Sequence, residues 1–336
     1  MSSFFRRIPP LSYTLQNLLI SAATIVSSIS SFVLTSTLIL PLSVARVFAP
    51  SEAKADALVA QRGTDTRNQR KVVLVVGASR GIGYNVVREY AKEEGTTIIA
   101  VSRSMDSLEG MNSEIGPKRA NLVLEALDIS VPPSKISQTI SEWDRKYGPI
   151  TQVYAVSAIS NHLDDEKPYD LDVTVDMINV NIVGTVSVIM AAYECMKPRQ
   201  YGSICIVGSV AGLFNPANMI SYSSTKAFIN TFASSLRILA LEHNIEVITV
   251  APGFIDTRMT AKMRGQGSII PAFEFASANG MAKKMKRGVE CGGVGIVTWP
   301  VSQAVVMYAL RAINPICEDL GRYVSYIARV AGRKVT

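Results

Sequence analysis

The sequence predicts a doubly wound α/β fold, a parallel seven-stranded sheet with helices on both faces, carried behind an N-terminal transmembrane helix. Three observations predict it. After residue 70, seven short runs rich in β-branched residues alternate with helix-length segments, the pattern of a sheet built from crossover units. The first of these runs, "KVVLVVGA" (71–78), is apolar without alternation, as a strand buried on both faces must be. Ahead of them lies an uncharged stretch long enough to cross a bilayer.

Taking the elements in order, no side chain from Ile8 to Ala45 is charged, and no acid occurs before Glu52. The most apolar part, Leu18–Leu40, reads "LLISAATIVSSISSFVLTSTLIL", and about 20 apolar residues suffice to span the hydrocarbon core. Its Ser and Thr hydroxyls can bond back to helix carbonyls. The run exceeds a signal-peptide core, and no small-x-small cleavage site follows it. A mitochondrial targeting peptide would be Ser-rich and acid-poor too, but amphipathic, whereas this run is apolar all round. Residues 1–49 are therefore read as a membrane anchor in contact with lipid. The compartment expected is the endoplasmic reticulum membrane, with the mitochondrion as the alternative. Arg6 and Arg7 on one side and Arg46 and Lys54 on the other leave its orientation open. Residues 50–70 are polar and read as a linker.

The further strand candidates are "TTIIAVS" (96–102), "NLVLEALD" (121–128), "ITQVYAVSA" (150–158), "GSICIVGS" (202–209), "IEVITVAPG" (245–253) and "VGIVT" (294–298). Segments such as "GYNVVREYAKEEG" and "DVTVDMINVNIVGTVSVIMAAYECM" supply the helices between them. Cys291–Leu310 is uncharged, but Trp299-Pro300 interrupts it, so a second membrane span is not expected.

Composition narrows the function classes. At 48% hydrophobic and 18% charged residues, the chain is too apolar for a disordered protein. A net charge of +7 suits nucleic acid, an anionic membrane surface or a phosphorylated ligand. No Lys/Arg run is interleaved with aromatics, so no nucleic-acid partner is expected. The four cysteines, Cys195, Cys205, Cys291 and Cys317, form no CxxC, and the two histidines, His162 and His243, stand far apart. Neither a metal site nor a Ser/His hydrolase is expected from them.

The first strand runs into Gly77-Ala-Ser-Arg-Gly81-Ile-Gly83. A glycine-rich turn between strand and helix lets backbone approach a pyrophosphate seated on the helix N-terminus, the Rossmann-type arrangement. Gly77, Ser79, Arg80, Gly81, Ile82 and Gly83 are the candidate contacts. An NAD site would place an acid at the tip of the second strand to bind the ribose 2′-hydroxyl. Here the tip reads Val101-Ser102-Arg103-Ser104. A guanidinium offers a 2′-phosphate a charged fork of donors, and Arg80 is placed to reach the same group. NADP(H) is inferred over NAD(H).

Within "ISYSSTKAFI" (220–229), Tyr222 and Lys226 share one helix face, one turn apart. Reducing a ketone builds negative charge on its oxygen, which a proton donor must meet. A free phenol has a pKa near 10, and a fixed cation nearby is expected to lower it.

Taken together, the glycine loop, Asp128, Asn181, "VGSVAGLFNPANMISYSSTK" (207–226) and "APGFIDT" (251–257) resemble the short-chain dehydrogenase/reductase family in its compact form, from about Val72 to Pro300. The resemblance implies a catalytic domain over residues 71–300 and a helical tail over 301–336. It implies that Ser209, thirteen residues before Tyr222, binds the substrate oxygen, that Tyr222 is the general acid/base, that Lys226 also binds the nicotinamide ribose, and that Asn181 holds a proton-relay water. Asp128 is expected to bond the adenine amino group with Ile129 packed beside it. Tyr222, Pro252, Gly253, Ile255 and Thr257 are expected to contact the cofactor, the last four around the nicotinamide. Family members often form dimers or tetramers, so a homodimer or homotetramer is expected. Two departures stand out: Val76 replaces a preferred Thr, and Ala155-Val156-Ser157-Ala158 replaces Asn-Asn-Ala-Gly, with Ser157 able to take over part of its role.

Between Thr257 and Val289 a substrate lid is expected, with Met259, Met263, Phe273, Phe275, Met281 and Met285 suited to an apolar, adaptable pocket. Lys283, Lys284, Lys286 and Arg287 form a basic cluster there, and the tail "GRYVSYIARVAGRK" alternates apolar and basic residues, a surface compatible with lipid. The activity this implies is hydride transfer between NADP(H) and the carbonyl or secondary alcohol of a lipophilic substrate: a sterol, a retinoid-like compound, or a long-chain acyl or sphingoid ketone. A catalytically idle NADP(H)-binding sensor or scaffold is the alternative.

Overall fold

The computed structural model describes residues 11–48, 71–160, 171–265, 275–311 and 321–324. The expected linker, His162, Phe273, Cys317 and most of the C-terminal tail lie outside the described residues.

Helix α1 runs from Leu11–Leu34 through a π-helical stretch, Thr35–Ile39, into Leu40–Phe48. Its Leu11–Ala45 portion, 35 residues with a mean hydropathy of 1.9 and its apolar window unburied, is long and apolar enough to cross a membrane. The hydroxyls of Ser21, Thr24 and Thr37 donate to the carbonyls one turn back, each at 2.8 Å, which removes their cost in an apolar medium.

The strands are β1 Val72–Val76, β2 Thr97–Ser102, β3 Asn121–Ala126, β4 Gln152–Ala155, β5 Gly202–Val207, β6 Ile245–Pro252, β7 Ile255–Asp256, β8 Ala276–Ser277 and β9 Ile296–Trp299. Seven of them form one sheet in the order β3-β2-β1-β4-β5-β6-β9, every neighbour parallel. All seven coincide with the runs read from the sequence. The pair β7–β8, two residues each, carries too little pattern to be read that way.

The remaining helices are α2 Gly81–Tyr90, α3 Met105–Ile115, α4 Pro133–Tyr147, α5 Leu171–Ile178, α6 Thr185–Met196, α7 Ile220–Ala240, α8 Arg258–Gly265, α9 Ala278–Cys291 and α10 Val301–Arg311. A π-helical stretch, Asn179–Gly184, joins α5 to α6. This run, Leu171–Arg199, also meets the length and hydropathy test for a span, but 44% of its apolar window is buried in the protein. It is a core helix of the α/β unit.

Alternate residues of β1 divide the core. Val72, Leu74 and Val76 face a layer built by α4, α6 and α7, with Ile136, Ile140, Val188, Ile189, Ile229 and Leu236 buried against them. Val73 and Val75 face α2, α3 and α9, meeting Val86, Val87, Leu108, Met281 and Met285. Fully burying one such side chain stabilises the fold by about 1.5–3 kcal/mol. Met281 and Met285, expected in a substrate lid, therefore pack in the core, because α9 lays its apolar stripe on the sheet. Lys286 of the expected basic cluster is likewise engaged, bridging Glu93 at 2.6 Å and Glu290 at 3.1 Å. Cys291–Leu310 is divided among α9, β9 and α10, so no second span arises there.

Chain order reverses beside β1: β2 and β3 lie to one side, β4 and its successors to the other. The crevice at the carboxyl ends of β1 and β4 is thus the topological switch point, where ligands bind in sheets of this kind.

Candidate active site

One half of the crevice is the turn after β1. Gly77 sits at φ +96° and Gly81 at φ +59°, conformations that side-chain-bearing residues resist. The N–H groups of Gly77 and Ala78 both donate to Val101 O, at 2.8 and 2.9 Å, folding the turn over the tip of β2. A Cβ on Gly77 would stand 2.7 Å from Ser157 N, and one on Gly83 would stand 2.1 Å from Gly77 O. The turn is therefore packed backbone against backbone. Helix α2 begins at Gly81, with Arg80 as N-cap and no side chain capping it, so its first N–H groups are left for a ligand. Ser79 is half-exposed and Arg80 exposed at this mouth, while Ile82 packs on the α2 side of the core.

Arg103 is exposed just past β2, before Ser104, whose hydroxyl caps α3. Asp128 follows β3, and its Oδ1 accepts from Ser130 N at 2.9 Å and Ser130 Oγ at 2.8 Å, which fixes the carboxylate at the rim. Ile129 is buried, and its carbonyl lies so near Gly184 that a Cβ there would approach within 2.3 Å. Val76, Ile129, Ala155, Ser157, Thr185 and Val188 line one recess between these parts.

The segment 155–158 is tied on both sides. Val156 N and Ser157 N both donate to Val76 O, at 2.9 and 3.0 Å. Asn181, fully buried in the π-helical stretch, accepts from Ile159 N at 2.8 Å and donates to Ile159 O at 2.9 Å and Thr225 Oγ1 at 3.1 Å. Both amide hydrogens thus tie the β4 extension to α7. The Asn181 side chain is a brace whose last bond ends one residue before Lys226.

The other half of the crevice descends from β5, α7 and β6. Ser209, buried at the end of β5, accepts from Ala211 N at 3.1 Å and donates to Pro252 O at 3.5 Å, and its hydroxyl lies near enough to the Tyr222 phenol to pull the phenol's pKa down. Lys226, 3% exposed, directs Nζ to Val207 O at 2.9 Å and stands 5.9 Å from the centre of the Tyr222 ring. The two side chains share one compartment, as helical spacing requires. Met219, Met263 and Phe254 pack around the half-buried Tyr222, and Phe254 meets Phe275 at 5.6 Å between ring centres.

Their electrostatics differ from the sequence expectation. Burial pushes the phenol of Tyr222 up to about 12, against a smaller downward pull from the Ser209 hydrogen bond. Burial also lowers Lys226 to about 8. The expected lowering of the phenol by its cation is overruled, because desolvation disfavours both charged forms.

Pro252 ends β6, and Gly253 N donates to Trp299 O at 2.9 Å. Ile255 is buried in β7, and Thr257 N donates to Thr260 Oγ1 at 3.0 Å. Thr257 Cγ2 lies 3.5 Å from where a Gly81 Cβ would be, so the β6–β7 segment arches over to the glycine turn and closes the two halves into one site. Sequence reading missed Gln303, the lone amide of α10, which accepts from Phe254 N at 2.7 Å. A buried polar residue in "VSQAVVMYAL" was the available signal. It also missed Asn230, which stands four residues past Lys226.

The short chain dehydrogenase family profile matches residues 71–267, more than half of the chain. The chain is 29% identical over 269 residues to a dehydrogenase/reductase SDR family protein 7-like of Drosophila melanogaster, covering 74% of this chain and 79% of that one. A xylitol dehydrogenase solved with NAD+ bound superimposes with a TM-score of 0.61 at 20% identity, covering 69% of this chain and 98% of that one. ElxO, solved with NADP bound, gives 0.60 at 22% identity, covering 68% and 97%. These two structures share the fold, one with each nicotinamide cofactor. The match across the α/β unit, glycine turn and Ser-Tyr-Lys group included, means that the chain belongs to the short-chain dehydrogenase/reductase family, a family of oxidoreductases.

Proposed function

We propose that the protein is a membrane-anchored, NADP(H)-dependent oxidoreductase acting on the carbonyl or secondary alcohol of a lipophilic substrate. The observation that carries this reading is the meeting of Ser209, Tyr222 and Lys226 in one compartment at the switch point, beside an uncapped helix N-terminus.

The residues fit a dinucleotide. The turn is closed so tightly that a Cβ on Gly77 or Gly83 would collide with backbone, which leaves the α2 N-terminus open to a pyrophosphate. Residues 101–105 at the β2 tip carry no carboxylate to oppose a 2′-phosphate; Arg103 is exposed there, and Arg80 is exposed in the turn after β1. Gly77, Ser79, Arg80, Gly81, Ile82 and Gly83 would hold the pyrophosphate side, Arg103 the 2′-phosphate, Asp128 and Ile129 the adenine, and Ser157 the adenosine ribose. Lys226, Pro252, Gly253, Ile255 and Thr257 would hold the nicotinamide side. Bound there, NADPH supplies the hydride.

Ser209 orients the substrate carbonyl oxygen by hydrogen bond, and Tyr222 delivers a proton to that oxygen as negative charge develops. With its pKa at about 12, the phenol stays protonated at neutral pH and is ready to donate. Lys226, charged below about 8, stabilises the phenolate left behind. Asn181 fixes the spacing of β4 and α7, holding these groups in register.

Two features support the substrate class, and a third supports assembly. The wall around Tyr222 is apolar, made by Met219, Met263 and Phe254. Helix α1 is exposed and apolar over 35 residues, which suits an anchor in the endoplasmic reticulum membrane. Exposed Leu171, Val175, Phe228 and Ile238 on α5 and α7 offer a face for a homodimer or homotetramer. The test is to incubate purified protein and NADPH with a steroid ketone, a retinal and a long-chain 3-oxoacyl ester, following loss of reduced-nicotinamide absorbance. Turnover of at least one, with NADPH preferred over NADH, is expected. No turnover of any despite tight NADPH binding would favour a sensor or scaffold.

A further inference from the structure

Helix α7 presents three successive turns to the end of β5 and is hydrogen-bonded to it at two. Tyr222 stands beside the Ser209 hydroxyl, Lys226 donates to Val207 O, and Asn230, one turn further on the same face, grips the Ser209 main chain. Asn230 Nδ2 donates to Ser209 O at 2.9 Å, and Oδ1 accepts from Ser209 N at 3.4 Å. Both groups are buried, at 8% exposure each.

The residue before Ser209 makes this grip possible. A Cβ on Gly208 would stand 1.8 Å from Asn230 Oδ1 and 3.3 Å from Val250 O. Gly208 N donates to Val250 O at 2.8 Å. The Gly208–Ser209 peptide is thus clamped between β6 and the Asn230 carboxamide, with no room for a larger residue.

We infer that Asn230 is a positioning residue, which acts by holding the Ser209 backbone so that the serine hydroxyl keeps its direction at the mouth beside Tyr222. The inference rests on the catalytic reading of Ser209 and Tyr222. A hydroxyl hung on an unclamped strand end loses its fixed direction, and misplacement by about 1 Å costs roughly 100-fold in rate. Asn230 suits the task because a carboxamide presents one donor and one acceptor side by side, matching the C=O and N–H of a single residue.

The test is a double-mutant cycle on turnover of the best ketone from the panel, with NADPH affinity followed by nicotinamide fluorescence. Asn230→Leu keeps the volume but removes both bonds. It is expected to lower kcat roughly 10- to 100-fold while leaving NADPH binding unchanged. In a Ser209→Ala background the same change should cost nothing further, because its effect runs through the absent hydroxyl. Asn230→Asp keeps the acceptor for Ser209 N–H and should recover part of the loss, and it serves as the second variant if Asn230→Leu does not fold. Full turnover in Asn230→Leu, or losses that multiply with Ser209→Ala, would overturn the inference while Tyr222→Phe remains inactive. Should Tyr222→Phe itself retain turnover, the catalytic reading falls and this inference with it.

Discussion

Lys226 carries a measurable cost of its position. Burial lowers its pKa from 10.5 to about 8, equivalent to about 3 kcal/mol against the charged form. Between these values the unfolded chain holds a proton that the folded chain has released, so stability rises with pH across that window. Below about 8 the full penalty is present. Lys226→Met removes it, and the difference in unfolding free energy between variant and parent should shift against the variant by about 2 kcal/mol from about pH 7 to about pH 9.5. Denaturant titrations at the two pH values measure this, and a pH-independent difference would contradict the burial of the ammonium. Ketone reduction should likewise decline as pH rises through about 8, where Lys226 loses its charge, since the phenol remains protonated to about 12. At the opposite end of the crevice, Arg103→Asp should move preference from NADP(H) toward NAD(H), read as the ratio of kcat/KM values. An unchanged ratio would remove Arg103 from cofactor selection. Tyr222 and Lys226 were legible in the sequence as a pair, because helical spacing alone puts them on one face. The direction of the phenol's shift was not, since it depends on how deeply both groups are buried.

Among the elements, the turn after β1 is the most constrained. A Gly83→Ala change would push Cβ to 2.1 Å from the main-chain oxygen of Gly77, which no rotamer change relieves, so a loss of about 1–3 kcal/mol is expected. Gly110, inside α3, has nothing within 4 Å of its Cβ position, and Gly110→Ala should stabilise by about 0.5–1 kcal/mol. Thermal unfolding of the two variants checks the contrast, and equal effects would refute the packing of the turn. The seven long strands could be read from the sequence because unbroken runs such as Val72–Val76 are buried on both faces. Helix α9 misled because its methionines could serve a pocket or a core. Only the tertiary position of α9 on the sheet places Met281 and Met285 in the core. The brace from Asn181 to Ile159 was equally hidden, since it joins residues 22 apart through a π-helical stretch.

At the scale of the whole molecule, the chain combines an α/β unit whose seven-stranded sheet is covered on both faces with a helix that buries nothing in it. An exposed apolar helix of this length is stable in lipid and a liability in water. Carbonate-washed cell membranes should therefore retain the protein in the pellet, and release to the supernatant would contradict an anchor. The long apolar helix was legible because absence of charge over Ile8–Ala45 needs no knowledge of the fold. How the two halves of the site close was not legible, since the approach of Thr257 to Gly81 joins segments more than 170 residues apart in sequence.

In the proposed mechanism the Tyr222 phenol gives its proton to the substrate oxygen. The most direct measurement is single-turnover oxidation of NADPH by Tyr222→Phe with a ketone that the parent protein reduces, alongside its NADPH affinity. Turnover should fall by about three orders of magnitude, roughly what a lost proton donor costs, with cofactor affinity nearly unchanged. Turnover at the parent rate would contradict that mechanism.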